Sequence, residues 1–538
     1  MFYQNVCEPF LLNVRRYPWK TAVVFREERL TYDGLNRRIN RIANALLQLG
    51  VRAGEKVTYM FPNCIELVEI YYAIQKIGAV AVPLDFRLNP KEIAFLADHC
   101  DAETLLFSSE FLDKVRSARG GIIKACRLIP SEAAADFPSS LQMLARQAGE
   151  EEPSIFLDAA ALSRIQFTGG STGVPRGVMR THEADLAELV GEMLYNKIGA
   201  DADQVVLIQC PLGHHGGHSW YTATLCSGGT LVICDAFDPE KILSQIQRER
   251  VTYMLLLPPS TYLRLCDSPL LKQYDVSSVR LVQSAAGYTT PEIVLRISDA
   301  FPNSEIYYGW GQTESGLGTS LVLTREMAEK RLPRIQSVGR AMPFLEIRIV
   351  DEEGNELNVG GVGEGEVRSP AVMSGYYGQP ELTAAVLGAD GWLRTGDIMR
   401  MDSEGYVYML SRKKDMIKSG GENVFAQEVE GVIMEHTAVA QCVITGVEDE
   451  VFGEGVLAIV QLRCGHSLTL EELQAHCKNY ISSHKKPRYL EFVESFDMND
   501  AGKIRKTDLC QKYKSLYRER IRNKQKQIRS EQIGFQTD

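Results

Sequence analysis

Residues 167–178 read Phe-Thr-Gly-Gly-Ser-Thr-Gly-Val-Pro-Arg-Gly-Val, placing four glycines, one serine and two threonines in a dozen positions after a short apolar run. That composition suits a loop whose backbone N–H groups and hydroxyls wrap a polyphosphate. Glycine lets the main chain approach an anion closely and take positive φ, so that successive N–H dipoles converge on it. The Walker A pattern is absent: Pro175 and Arg176 stand where a helix-opening Lys-Ser/Thr would be needed. A turn-rich surface loop has the same composition, so the segment gains meaning from others that carry chemistry. These are Tyr308-Gly-Trp-Gly-Gln-Thr-Glu314, Trp392-Leu-Arg-Thr-Gly-Asp397, Ser411-Arg-Lys-Lys-Asp415, Asn499-Asp-Ala-Gly-Lys503 and the histidine-rich Pro211–His218.

The elements that must position these groups follow from periodicity. Leu35, Ile39, Ile42, Leu46 and Leu49 recur at 4-3-4-3 spacing and end at Gly50, an amphipathic helix with a glycine stop. Leu231–Cys234 reads as a strand, Asp238-Pro-Glu as a helix start with Ile242, Leu243 and Ile246 facing inward, and Val251–Leu257 as the next strand. Strand, helix, strand with short connections means a parallel sheet covered by helices, the α/β class. Val279–Val282 and Glu305–Tyr308 each deliver a small-residue loop at a strand's C-terminal end, where open α/β sheets bind ligands. Around 340–405, turns such as Asp351-Glu-Glu-Gly and Asp402-Ser-Glu-Gly separate short strands, so a β-rich lobe is expected there. A smaller α+β unit follows. The basic stretch from Lys512 reads as a solvated helix or frayed tail.

The chain has 538 residues, 45% apolar and 24% charged, in the range of globular proteins built from several lobes. A net charge of −10 argues against general nucleic-acid affinity. No apolar run approaches the ~20 residues needed to cross a bilayer, and the N-terminal residues do not read as a signal peptide. Twelve scattered cysteines without a Cys-x-x-Cys pair suit buried small residues in a reducing cytoplasm.

Taken in order, five segments resemble the adenylate-forming superfamily, which includes acyl-CoA synthetases, peptide-synthetase adenylation domains and beetle luciferases; the likeness runs from about residue 10 to about residue 510. The resemblance implies a large N-terminal domain over 1–412 with two helix-covered α/β subdomains and a β-rich lobe, a mobile C-terminal domain over 413–511, and a tail over 512–538. It assigns Thr168, Gly169, Gly170, Ser171, Thr172, Gly173 and Arg176 to the phosphate loop, with glycine at 169 and arginine at 176 where the family has serine and lysine. Ala286 and Gly287 match the adenine-edge loop, and Tyr308, Gly309, Trp310 and Gly311 the aromatic segment, with Trp310 where the family usually has tyrosine. Thr313 would contact phosphate and Glu314 would hold Mg²⁺, a hard ion suited to carboxylate oxygen. Asp397 and Arg412 match the ribose contacts, and Lys414 the hinge. Gly420 and Gly421 match the stretch lining the pantetheine tunnel, and Lys503 the lysine that reaches the reacting carboxylate and α-phosphate. A cation there offsets charge building in the transition state. His214 matches the segment beside the acyl pocket, with Gly213 replacing an aromatic residue. The neighbouring histidines and Cys210 fit no common zinc spacing.

The function implied is an acid–thiol ligase using ATP, Mg²⁺ and coenzyme A. A carboxylic acid is activated to acyl-AMP and pyrophosphate, then passed to CoA. Transfer to a carrier protein and a decayed nucleotide-binding regulator are the alternatives, and a homodimer is left open. An amino-acid-adenylating site would need a carboxylate near the pocket, and residues 213–220 contain none. Gly213, Gly216, Gly217, Gly316 and Gly318 are expected to widen the pocket towards a bulky aryl, alicyclic or medium-to-long acyl acid.

Overall fold

The computed structural model describes residues 3–124, 126–153, 158–168, 175–199, 203–285, 287, 289–498 and 504–534, with the backbone alone from 524 onward. The periodic helix forms over Tyr32–Gln48 and buries Leu35, Ile39, Ile42 and Leu46. The Thr31 hydroxyl accepts from the Gly34 N–H at its start, and Gly50 (φ 85°) turns the chain away beyond its end. Asp238 caps Pro239–Glu249 through the N–H groups of Glu240 and Lys241, and Ile242, Leu243 and Ile246 are buried as the pattern predicts. Each such aliphatic side chain contributes about 1.5–3 kcal/mol on burial.

The chain forms two compact units. The first comprises Met1–Thr289, Ile293–Ile347 and Val367–Arg394; the second comprises Thr290–Glu292, Arg348–Glu366 and Thr395–Asp538.

The first unit holds a nine-stranded and a seven-stranded sheet. In the nine-stranded sheet Leu281–Ser284 and Glu305–Tyr308 are parallel neighbours, with Ser284 opposite Tyr308. Their C-terminal ends therefore deliver the 285–287 and 309–310 segments side by side. In the seven-stranded sheet the edge of the parallel set carries an antiparallel hairpin. The incoming strand Leu162–Thr168 pairs with the outgoing strand Arg176–Thr181, and Thr168 lies opposite Arg176. The two strands flanking the segment read above as a phosphate loop thus form a hairpin. One large core (Phe10, Leu35, Ile74, Trp220 and Leu231 among its members) joins helices to the sheet strands.

The second unit holds most of a four-stranded sheet, Glu346–Val350, Val362–Arg368, Leu393–Met401 and Val407–Arg412, which is the β-rich lobe expected from the turns. A five-stranded sheet is built on the long antiparallel pair Val439–Asp449 and Gly453–Leu462. The helix Lys506–Gly534 begins within the core of this unit: Tyr513 and Tyr517 are buried with Val443, Leu457 and Ile459. The first turns of the basic stretch are therefore docked, because the two tyrosines supply the apolar area its charges lack.

Candidate active site

The base of the phosphate-loop hairpin is charged. Arg164 and Arg180 face each other in register across the two strands and are 1% and 0% exposed. Like charges directly opposite on a sheet repel, and burial adds to the cost of each. What makes the pair tenable is the helix His182–Tyr195, which starts as the outgoing strand ends. Its Asp185 accepts from Arg164 Nη2 at 3.0 Å and Arg180 Nε at 2.6 Å, and its Glu188 accepts from Arg180 Nη2 at 2.8 Å. Spacing of i, i+3 puts both carboxylates on one helix face. Burial would raise the pKa of Asp185, but the two guanidiniums hold it well below the usual carboxylate range.

The histidine-rich segment opens the helix His215–Cys226, and its three imidazoles go three ways. His214, at the N-cap, reaches Asp85 Oδ2 through Nε2 at 3.3 Å. His215 lies between Arg164 Nη2, 2.9 Å from its Nδ1, and Glu188 Oε1, 2.9 Å from its Nε2. A guanidinium only donates, so Nδ1 accepts and the proton of the neutral ring sits on Nε2, at ion-pair distance from Glu188. Burial also pushes this imidazole's pKa down, consistent with the neutral tautomer. His218 is buried edge-on against Tyr71 and Tyr221. Residues 213–220 contain no carboxylate, but the fold brings three against them. Asp85, Glu188 and Glu192 come from elsewhere in the chain, Glu192 accepting from Ser219 Oγ at 3.2 Å. All three are engaged by side chains of the protein.

Glu192 differs from its neighbours in having no cation to neutralise it among the described residues. Its partners are Asn196 and Ser219. Burial, reinforced by Glu188, pushes its carboxyl up to about 8.

The Trp310–Glu314 segment turns back on itself, with Gly311 opposite Leu317. Trp310 is 6% exposed, and its carbonyl accepts from the N–H groups of Gly318 and Thr319, both at 2.9 Å. Close approach explains the glycines here. A Cβ at Gly309 would lie 2.3 Å from the Thr319 carbonyl oxygen, and one at Gly318 would lie 2.3 Å from the Trp310 ring. Glu314 Oε1 accepts from Tyr376 Oη at 3.0 Å, while the Arg176 guanidinium stands 5.5 Å over the Tyr376 ring. One tyrosine thus touches both the outgoing end of the phosphate loop and the carboxylate suited to a hard divalent cation. Thr313 contributes its carbonyl to Arg180 Nη1 at 3.3 Å.

The expectation that five glycines widen the acyl pocket divides. Gly216 has nothing within 4 Å of a built Cβ, and Gly213 only Pro83 at 3.8 Å. Gly217 would meet the Pro211 carbonyl oxygen at 2.2 Å, and Gly316 (φ 70°) rests on the Glu188 carboxylate. Gly217, Gly316 and Gly318 serve close packing; Gly213 and Gly216 border open space.

In the second unit Asp397 and Arg412, fifteen residues apart in sequence, are direct partners across a hairpin, and Arg412 Nε lies 2.8 Å from Asp397 Oδ1. Asp397 is fully buried. Lys413 is tied to Glu364 at 2.9 Å, whereas Lys414 is exposed within a short 3₁₀ turn, Lys413–Asp415. Gly420 and Gly421 (φ 61° and 85°) make the tight turn between Ile417–Ser419 and Glu422–Val424. Met498 and Ile504 form an antiparallel bridge, and Lys506 Nζ is 2.7 Å from both oxygens of Glu430, so the end of the Lys503 loop is fixed at its root. Gly169, Gly170, Ser171, Thr172, Gly173, Ala286 and Lys503 themselves lie outside the described residues.

Sequence reasoning missed Arg164, Arg180, Asp185 and Glu188. A signal was present: an arginine interrupts the interior of each of two strands, and acidic residues recur at 185, 188 and 192, a spacing that puts them on one helix face.

Comparison with known proteins agrees with this geometry. The AMP-binding enzyme family matches residues 10–377, and the AMP-binding enzyme C-terminal domain matches residues 428–503. A feruloyl-CoA synthase of Amycolatopsis sp is 32% identical over 500 residues, covering 93% of this chain and 97% of its own. A mitochondrial medium-chain acyl-CoA ligase of Bos taurus is 30% identical over 529 residues, covering 92% of this chain and 85% of its own. Among solved structures, the amide bond synthetase McbA of Marinactinospora thermotolerans superposes with a TM-score of 0.83 at 28% identity, over 93% of this chain and 98% of its own. No described helix is long and apolar enough to cross a membrane. With both family domains in order along a fold of this kind, the chain belongs to the AMP-binding enzymes, as an AMP-forming acid–CoA ligase of the acyl-CoA synthetase type.

Proposed function

We propose that the acid activated is a bulky aryl, alicyclic or medium-to-long acyl carboxylate. The observation carrying this reading is the start of the helix His215–Cys226, where Gly213 and Gly216 leave side-chain-sized space next to His214. The feruloyl-CoA synthase and the medium-chain ligase among the relatives act on acids of these two kinds, and their likeness supports the same range here.

The roles follow the resemblance. Thr168, Arg176 and the loop between them cradle the β- and γ-phosphates. Glu314, with Thr313 beside it, would hold Mg²⁺: a carboxylate already oriented by Tyr376 fits a hard cation that wants oxygen donors. When bound, the ion would offset phosphate charge. Trp310 and Gly287 frame the adenine, and Asp397 with Arg412 takes the ribose hydroxyls. Lys503 stabilises charge as the carboxylate attacks phosphorus. Lys414, exposed in its short turn, is the hinge about which the C-terminal domain rotates before CoA attacks the adenylate past Gly420 and Gly421. We place the enzyme in the cytoplasm, where its twelve unpaired cysteines, eight of them buried, suit a reducing milieu.

Pyrophosphate release across a panel of aryl, alicyclic and aliphatic acids, with and without CoA, tests the reading. The expected result is acid-dependent pyrophosphate strongest for bulky acids, with CoA required for turnover. Preference for acetate over every larger acid would refute it.

A further inference from the structure

The Arg180 guanidinium uses its N–H groups on five acceptors drawn from three parts of the first unit. Nε donates to Asp185 at 2.6 Å, and Nη2 to Glu188 at 2.8 Å and the Ala184 carbonyl at 3.2 Å. Nη1 donates to the Ala371 carbonyl at 2.8 Å and the Thr313 carbonyl at 3.3 Å. Both Nη1 acceptors lead to Glu314. Thr313 precedes it in the chain, and Ala371 opens the segment whose Met373 N–H donates to the Glu314 carbonyl at 2.8 Å and whose Tyr376 holds its side chain. That same segment is fastened to the outgoing strand: Tyr376 lies opposite Val178, and the Tyr377 N–H donates to the Gly177 carbonyl at 2.8 Å. Arg180 therefore stands where the phosphate-loop hairpin, the carboxylate helix and the two segments framing Glu314 meet.

We propose that Arg180 is a positioning residue for Mg-ATP: from the hairpin that carries the phosphate loop, it fixes the Thr313–Glu314 backbone at the place where the carboxylate meets the cation. The inference rests on the reading of Glu314 as the Mg²⁺ carboxylate. Its physical basis is the planar fork. A lysine ammonium is a point charge with three donors, and it cannot span Asp185, Glu188 and both carbonyls at once. Charge is kept in Arg180→Lys while the geometry is lost.

Calorimetric binding of Mg-ATP, and of ATP in EDTA, to wild type, Arg180→Lys and Glu314→Gln separates this from general loosening. Arg180→Lys should weaken Mg-ATP about tenfold while leaving metal-free ATP within about twofold, the scale of a lost hydrogen bond at a charged group. The same pattern in Glu314→Gln ties the effect to the metal carboxylate. Equal weakening of both ligands in Arg180→Lys, or no weakening in a protein that melts like wild type, overturns the proposal. Should Arg180→Lys fail to fold, Glu188→Gln provides the milder test. It should shift Mg-ATP in the same direction by about threefold, and an unchanged Mg-ATP affinity overturns the proposal. These readouts need no acid substrate, so an inactive ligase reading and a wrong role for Arg180 give different results.

Discussion

Replacing Asp185 by asparagine removes a negative charge from the base of the phosphate-loop hairpin while preserving volume. In the native clamp two guanidiniums face two carboxylates, Asp185 and Glu188, with all four side chains 5% exposed or less. After the change two positive charges face one negative charge, and Asp185's contacts of 2.6 Å and 3.0 Å become hydrogen bonds to a neutral amide. Removing one partner of a buried ion pair costs about 3–5 kcal/mol, chiefly because the other is left uncompensated. The unit concerned has roughly 370 residues, giving an unfolding entropy of about 0.8 kcal/mol/K. The expected fall in melting temperature is therefore about 4–6 °C, measured by differential scanning calorimetry at pH 7 and fixed scan rate. The double variant Asp185→Asn with Arg164→Gln restores one positive to one negative charge and should recover at least half of the loss, a coupling that two independent sites would not show. A melting temperature within about 1 °C of wild type for Asp185→Asn, or additive losses in the double variant, would refute the charge-balance argument.

Three further outcomes follow from the site. Glu192 stays protonated in the fold up to about pH 8, whereas it ionises near 4.5 when unfolded, so the folded state binds the extra proton between these values. Its contribution to stability is complete below pH 4.5 and is lost as pH rises towards 8, by up to about 1.4 kcal/mol per pH unit. Glu192→Gln should flatten that part of the stability profile in denaturant titrations, and an unchanged slope would show that Glu192 is ionised in the fold. Lys503→Ala should suppress acyl-AMP formation by about two orders of magnitude while sparing thioester formation from preformed acyl-AMP. Lys414→Pro should do the reverse, and single-turnover assays showing equal losses in both half-reactions for both variants would remove the rotation model.

The parts of this fold written as local patterns were readable in advance. Leu35, Ile39, Ile42 and Leu46 gave a helix face, Asp238 a cap, and the strands read at Val279–Val282 (formed two residues later, over Leu281–Ser284) and Glu305–Tyr308 the position of their loops, because each depends on neighbours within a few residues. The family resemblance located Glu314, Asp397 and Arg412 through motif order. It did not reveal that Asp397 and Arg412 are opposite each other in a hairpin, since register depends on the turn and bulge between them. Nor could spacing show that Arg164 and Arg180 share Asp185. That fact requires the register of two strands and the rotation of the following helix together, and each charge read alone looks like a solvated one.

The glycines bear on how this enzyme can change. At Gly217, Gly309 and Gly318 an added Cβ would lie 2.2–2.3 Å from backbone or ring atoms, so a side chain at any of them must displace the scaffold. Gly213 and Gly216, three residues apart on the approach to the same helix, border space instead. On the proposed acyl pocket, a lineage, or a designer, seeking a shorter acid would fill position 213 or 216 one carbon at a time, away from the residues assigned to the nucleotide. Selectivity would then drift at those two positions while the proposed adenylating machinery stands still.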